Sequence, residues 1–472
     1  MASSLIGQSA CTIVDRLRSE EISPLDLLDA LEERIATVDP AVNALPTLCF
    51  DRARDRAARL MKRPVEKRGQ LAGLPVPIKD LTEVEGVRTT WGSPIYADFV
   101  PERSDILVET IETEGGLIYA KSATPEFGAG ANTFNEVFGM TRNPWNTSRS
   151  AAGSSGGAAV SLATGMAWVA HGSDLGGSLR NPASFCGIVG LRPSPGRVAA
   201  TPGTIADNIL SVEGPMARTV EDVALMLDAM TGEHPLDPVS LPRDGTSYLQ
   251  AARGGMPIKK VAFSADLGVT PVDPEVAEIC RRAAYRFGEL GAEVVDAHPD
   301  LSNAHGAFQT LRARGFAAAH ARKLKDHPDL LKPETVWNIE KGLRLTMAEI
   351  IEAETQRAEM IANAVAFLGD YDLLMTPATI VAPYPVEQRY VAECAGVTFE
   401  TYIDWLAIAF AVTLTTAPAL SLPCGFTAEG LPVGLQIVAI PRGEAKLLSG
   451  ARQLEKLLDL DTVTPIDPRP GS

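Results

Sequence analysis

Nine of the chain's 40 glycines fall within forty residues, Ala151–Gly190, at positions 153, 156, 157, 165, 172, 176, 177, 187 and 190. A continuous helix or strand does not carry glycine at that density, since each one inside an element costs roughly 0.5–1 kcal/mol against alanine. Glycines this close together mark a backbone that turns sharply and approaches its neighbours with no side chain between. Two such loops, Gly153-Ser-Ser-Gly-Gly157 and Gly172-Ser-Asp-Leu-Gly-Gly-Ser178, flank an apolar helix-like run. Free N–H groups in turns of this kind can converge on an anion, so chemistry is expected here.

The surrounding pattern alternates helices with apolar strands. Residues 8–62 read as helices, with Ser23 as an N-cap, Pro24 at the first helical position, and Leu27, Leu28, Leu31 and Ile35 at helical spacing. A proline-punctuated apolar run, Leu74-Pro-Val-Pro-Ile78, ends at Lys79-Asp80. Helix Ile106–Glu114 passes through Gly115-Gly116 into strand Leu117–Ala120, and Thr219–Met230 reads as an amphipathic helix. Lys259–Phe263, Pro274–Leu290 and Glu293–Asp296 form a βαβ pattern, residues 303–368 are mostly helical, and Tyr371–Met375 and Ala419–Leu422 read as core strands. The whole indicates an α/β layered fold.

Composition narrows the function. Over 472 residues the formal net charge is −16, which argues against a general nucleic-acid binder, because neutralising phosphates needs a basic surface. The six cysteines (11, 49, 186, 280, 394, 424) form no CxxC pair, so reduced thiols in the cytoplasm are expected. Asp15, Arg16 and Arg18 arrive too early for a secretory signal. Two uncharged runs are not read as membrane spans. Ser150–Ser173 is rich in Gly, Ser and Ala, and Leu406–Phe426, with Pro418 and Pro423, reads as a helix end followed by a buried strand.

Three chemistries could use the glycine loops. Phosphate binding lacks the Gly-Lys-[Ser/Thr] of a P-loop. Gly153-x-Ser155-x-Gly157 matches the elbow of α/β-hydrolases, and histidines lie downstream at 234, 298, 305, 320 and 327, but the polar stretch Asn143–Ala152 is not the strand that elbow requires. The third chemistry uses the nearby charged groups. Gly153-Ser-Ser-Gly-Gly-x3-Ser161, followed by Gly172-x-Asp174-x-Gly-Gly-Ser178-x-Arg-x-Pro182, resembles the amidase signature family. Gly73-Leu-Pro-Val-Pro-Ile-Lys-Asp80, Ala120-Lys-Ser-Ala-Thr-Pro-Glu-Phe127 and Phe185-Cys-Gly-Ile-Val-Gly-Leu-Arg-Pro193 resemble it too. So do Leu422-Pro-Cys-Gly-Phe426 and Gly430-Leu-Pro-Val-Gly-Leu-Gln436. The resemblance runs from roughly residue 5 to residue 455.

It implies a central mixed β-sheet covered by helices on both faces. The implied units are an N-terminal helical segment at 1–65, a catalytic domain at 66–455 and a tail at 456–472. It implies a triad of Lys79, Ser154 and Ser178, with the serines 24 residues apart as the signature requires. Ser178 would be the nucleophile, and Ser154, in a cis peptide, would bridge it to Lys79. The N–H groups of Leu175, Gly176 and Gly177, with that of Ser178, would form the oxyanion hole. Asp174 and Arg180 would hold the loop, and Ser155 would support the relay. Phe127, Gly128 and Ala129 would line one side of the substrate pocket. Residues 303–400 would supply the other wall, with Phe308, Leu311, Phe316, Trp337 and Ile339 and the loop Ile380–Tyr390 as its candidates.

The residues themselves make sense of that chemistry. A serine hydroxyl needs a base, and lysine is a base only when neutral. Burial among Leu74, Val76, Pro77 and Ile78 favours the neutral amine. The bland readings are a surface Lys79, a buried apolar Cys186, and a His171 that packs or hydrogen-bonds beside the loop. The expected function is hydrolysis of a small-molecule amide, or a related ester or carbamate, with no metal, no cofactor, no nucleic acid and no membrane. Alternatives are the amidase subunit of a tRNA-dependent amidotransferase, disfavoured by the negative charge, and a catalytically silent binding protein. The family also implies a homodimer through the N-terminal helices.

Overall fold

The computed structural model describes residues 5–243, 245–460 and 463–471. Three strands, β1 (Thr47–Leu48), β2 (Pro75–Lys79) and β3 (Leu117–Ser122), form a small sheet in the order β1-β3-β2. β3 runs antiparallel to β1 and parallel to β2. Eight more build the large sheet: β4 (Val169–Asp174), β5 (Val189–Arg192), β6 (Val212–Ala217), β7 (Lys260–Phe263), β8 (Glu293–Asp296), β9 (Leu373–Pro377), β10 (Ala419–Phe426) and β11 (Pro432–Val438). Their spatial order is β8-β7-β9-β11-β10-β5-β6-β4. The β8-β7-β9 end is parallel and the remaining pairs are antiparallel, so the sheet is mixed.

The helices are α1 (Ala10–Arg18), α2 (Pro24–Val42), α3 (Phe50–Leu60), α4 (Ile106–Thr113), α5 (Gly156–Ala163), α6 (Arg180–Cys186) and α7 (Val220–Met230). They continue with α8 (Tyr248–Gly254), α9 (Pro274–Tyr285), α10 (Ala304–Asp326), α11 (Pro333–Leu343), α12 (Met347–Asp370), α13 (Ala407–Leu414) and α14 (Glu444–Leu458). Side chains alternate across a strand, and here each face finds its own core. Val261, Phe263, Leu373, Met375, Leu420 and Leu422 join a core with α1–α5, α7–α9 and α14. Ala262, Leu374 and Ala419 point the other way, into a second core with α10, α12 and α13. Helices therefore cover both faces, as expected.

Local signals are where the sequence placed them. Ser23 and Asp26 form a reciprocal cap on α2, and Thr219 caps α7. The β7-α9-β8 unit is parallel, with a short 3-10 turn extending the helix to Leu290. The uncharged run near the C-terminus splits into α13 and β10, and among the described residues no helix is long and apolar enough to cross a membrane.

β2 carries two prolines, which a central strand would not admit. It lies at the edge of the small sheet and shifts register between Val76 and Pro77. Its other side faces β4, where the Lys79 N–H donates to His171 Nδ1 at 3.3 Å. This juxtaposition brings the end of β2 against the two glycine loops.

Candidate active site

Lys79, the last residue of β2, is fully buried among hydroxyls. Its Nζ donates to Ser154 Oγ at 2.7 Å, Ser155 Oγ at 2.9 Å, Ser173 Oγ at 3.0 Å and the Ser173 carbonyl at 3.4 Å. The neighbouring Asp80 does not neutralise it. That carboxylate pairs with Lys121 of β3 at 3.2 Å and accepts from the Thr90 N–H and hydroxyl. Burial without a contacting counter-ion brings Lys79 down to about 7, against weaker upward pulls from Glu213 and Asp174. Lys121 is also lowered by burial, but Asp80 opposes the shift, so of these two buried lysines Lys79 is the one suited to act as a neutral base.

The serine loop is set by close packing. A Cβ on Gly157 would lie 2.2 Å from Ala123 N and 2.5 Å from Ala44 O, so the start of α5 can sit against the end of β3 only as glycine. The Gly153–Ser154 peptide is cis. The Ser155 N–H donates to the Ser178 carbonyl at 3.2 Å and stitches the two loops together. Ser155 Oγ also reaches the Ser173 carbonyl at 3.3 Å. Ser154, Ser173 and Ser178 share the lining of one cavity. The Lys79–Ser154 leg of the expected relay is made. The Ser178 hydroxyl, half-buried at the cavity wall, has no hydrogen bond to another described residue.

Asp174, at the end of β4, organises the second loop. Its Oδ1 accepts from the Gly177 N–H at 2.9 Å and Oδ2 from the Leu179 N–H at 3.0 Å. Arg180 grips both oxygens, at 3.0 and 2.8 Å, and Arg192 lies 3.5 Å from Oδ1. Burial opposes ionisation of Asp174, but the two guanidinium groups outweigh it and hold the carboxyl well below the usual range. Arg180 also donates to the Ala409 carbonyl at 2.8 Å, to Thr413 Oγ1 at 2.9 Å and to Gln436. These contacts anchor the loop to α13 and β11.

This arrangement corrects one expectation. The Gly177 N–H is taken by Asp174, while those of Leu175, Gly176 and Ser178 have no partner among the described residues. Three open donors therefore border the cavity. Gly177 instead serves the turn: its φ is 111°, and a Cβ there would lie 2.6 Å from Asn181 Oδ1.

The cavity has a volume of about 100 Å³, and Phe127 and Gly128 line it as expected. Ala129 does not. It is fully buried, with its N–H on the Glu126 carbonyl at 2.9 Å and its own carbonyl turned to Lys332 Nζ at 2.6 Å. Gly130 and Ala131 take its place on the wall. Opposite stand Phe308, Arg312 and Phe316 of α10, with Leu406. Leu311 and Ile339 are packed into the interior, Trp337 stacks edge-on to Tyr402, and none of Ile380–Tyr390 lines the cavity.

Ser173, Glu213, Lys332 and Arg312 also surround the site, though the motifs single out none of them. Ser173 lies inside the Gly172–Ser178 motif itself. Arg312 sits four residues from Phe308 and four from Phe316, an arginine on an aromatic helical stripe, which is a legible signal. His171 links Lys79 to Glu213, whose Oε2 is 2.6 Å from Nε2. Cys186 is a fully buried thiol.

A model of the amidase family matches residues 26–448. The chain is 36% identical over 456 residues to an acylamidase of Rhodococcus erythropolis, covering 95% of this chain and 94% of that protein. It is 33% identical over 475 residues to a glutamyl-tRNA(Gln) amidotransferase subunit of Moorella thermoacetica, covering 95% and 96%. Among solved structures, a bacterial aryl acylamidase of the amidase signature enzymes is similar at a TM-score of 0.89 and 26% identity, covering 97% and 99%. A peptide amidase from Stenotrophomonas maltophilia is similar at 0.81 and 25%, covering 98% of each chain.

Proposed function

The chain belongs to the amidase signature family, and from that premise we propose that it hydrolyses the C–N bond of a linear amide through an acyl-enzyme on Ser178. The observation that carries the reading is Lys79, buried without a contacting carboxylate and hydrogen-bonded to Ser154 at the wall that also presents Ser178. In this mechanism the Ser178 Oγ attacks the amide carbonyl while its proton passes to Ser154 Oγ, and the Ser154 proton passes to the neutral amine of Lys79. The carbonyl oxygen takes up the electron pair and accepts from the N–H groups of Leu175, Gly176 and Ser178, each donor being worth about 3–4 kcal/mol of barrier. Collapse of the tetrahedral intermediate breaks the C–N bond, and the proton returns along the relay to the leaving amine. Water then cleaves the acyl ester by the same route.

Aryl amides, acyl amides and amide oligomers are the proposed substrates, with esters and carbamates admitted by the same acyl chemistry. Labelling with a fluorophosphonate, together with turnover of an amide, anilide, ester and carbamate panel, tests this. Wild-type chain is expected to label and turn over, and Ser178→Ala to do neither. A Ser178→Ala protein that keeps full hydrolysis overturns the mechanism. Glutamine hydrolysis appearing only with added partner subunits would place the chain with the amidotransferases instead. A cytoplasmic location and a homodimer through α1–α3 belong to the same proposal. Fractionation and light scattering test these two, and the six unpaired cysteines are compatible with the first.

A further inference from the structure

Arg312 is the one charged side chain, among the described residues, on the wall of the cavity that holds Ser154 and Ser178. It is 7% exposed, yet among the described residues no carboxylate lies within ion-pair distance of it. The neighbouring acids are engaged elsewhere: Glu334 with Arg389, Asp404 with Gln309 and the Thr401 N–H, and Glu126 with Ser93, Thr335 and the Lys332 N–H. Other buried arginines are provided for. Arg180 and Arg192 share Asp174, and Arg218 donates to three backbone carbonyls. Arg312 instead donates through Nη1 to a neutral amide oxygen, Asn338 Oδ1.

The group is nevertheless held rigidly. Its guanidinium carbon lies 4.4 Å from the Phe316 ring centroid and 5.5 Å from that of Tyr402. Asn338 is itself fixed, donating to the Glu334 carbonyl at 2.7 Å and to the Tyr402 hydroxyl. A buried, pre-oriented cation with no counter-charge in an otherwise uncharged cavity is costly unless a ligand brings the opposite charge. The planar fork fits a carboxylate best, with two donors meeting two oxygens.

We propose that Arg312 selects amides that carry a carboxylate, and that it holds this group while the scissile carbonyl rests on the Leu175, Gly176 and Ser178 N–H groups. The proposal rests on the amide-hydrolase reading above. Spacing follows from the fold. A Cβ on Gly176 would lie 2.9 Å from Phe308 Cζ, and Arg312 is one helical turn beyond Phe308. Both groups line the same cavity of about 100 Å³, so the link between the carboxylate and the scissile carbonyl is short. The substrate class is therefore a half-amide of a short dicarboxylic acid, or an amide whose amine portion carries the acid on a short chain.

The test compares anilides of short dicarboxylic acids with neutral counterparts in which a methyl ketone replaces the carboxylate. The aniline leaving group is the same in each pair. Wild-type enzyme is expected to favour the anion by roughly tenfold or more in kcat/KM. Arg312→Met is expected to bring that ratio near one, and Arg312→Lys to give an intermediate value. Calorimetry with the free diacid reads the same contact without turnover, and Arg312→Met is expected to weaken binding roughly tenfold or more. A wild-type ratio at or below one overturns the proposal. So does an Arg312→Met protein that loses both substrates equally while binding the diacid as before. Should the methionine variant not fold, the wild-type ratio and the lysine variant decide. Failure of the wild type both to label with fluorophosphonate and to turn over any amide refutes the hydrolase reading instead, and the diacid titration still reports on Arg312.

Discussion

Replacing Glu213 by glutamine moves the acid limb of hydrolysis to lower pH. The relay needs the Lys79 amine neutral, and burial holds that group at about 7, so kcat/KM falls about tenfold per pH unit below this point. Glu213 works against the burial. Its carboxylate is 2.6 Å from His171 Nε2, and His171 Nδ1 accepts the Lys79 backbone N–H at 3.3 Å, which puts a negative charge one imidazole ring from the lysine backbone and one side-chain length further from the amine, whose ammonium form it favours. A unit charge roughly 10 Å away, at an effective dielectric of about 20, is worth about 1.7 kcal/mol, or about one pH unit. A negative neighbour favours the ammonium, so its removal lowers the Lys79 value and extends activity toward acid. The glutamine oxygen still accepts from His171 and keeps the ring in place. The assay is kcat/KM for a neutral anilide from pH 5 to 10, chosen so that the substrate does not titrate and Arg312 has no charge to meet. The wild-type midpoint should lie near 7 and the variant's about one unit lower, whatever the height of the plateau. An unmoved or raised midpoint refutes the coupling. A wild-type midpoint above about 9 refutes the burial argument itself.

Three further outcomes follow from the geometry. Asp174→Asn leaves Arg180 and Arg192 fully buried with no anion, and should cost about 3–5 kcal/mol of stability in chemical denaturation. Gly177→Ala puts a side chain at a φ of 111° and 2.6 Å from Asn181, so it should cost about 1–3 kcal/mol and lower kcat more than it raises KM. Lys332→Met removes the donor to the Ala129 carbonyl, a loss of about 1–3 kcal/mol that loosens the 126–131 wall. It should raise KM severalfold while fluorophosphonate labelling of Ser178 persists.

What could be read from sequence was local or carried by a contiguous motif. The Ser23 and Thr219 caps, the βαβ unit and the split of the uncharged run into α13 and β10 each depend on residues close in the chain. Lys79, Ser154 and Ser155 were legible because their motifs are long, and the structure does bring these three together. The rest depends on side chains arriving from a distance. Ala129 was expected on the pocket wall, but its orientation is decided by Lys332, 203 residues further on. The helical stripe of Phe308, Arg312 and Phe316 is legible in sequence, but that Arg312 lacks a carboxylate partner depends on acids paired elsewhere in the fold. The Gly177 N–H looked free because no sequence pattern reveals that the Asp174 carboxylate folds back onto it.

The anchoring of Arg180 to Ala409, Thr413 and Gln436 has a consequence for how the molecule comes into being. Synthesis delivers the chain N-terminus first at about 5–20 residues per second. Lys79, Ser154 and Ser178 have therefore left the peptidyl-transferase centre roughly 10–50 s before Gln436 is added. Throughout that interval the growing polypeptide owns every member of the proposed triad, but not the segment that clamps their loop. A product released early, ending near residue 400, would carry the whole proposed triad without its clamp. Under the proposed mechanism, reactivity toward a fluorophosphonate is then expected only once α13 and β11 have joined the fold.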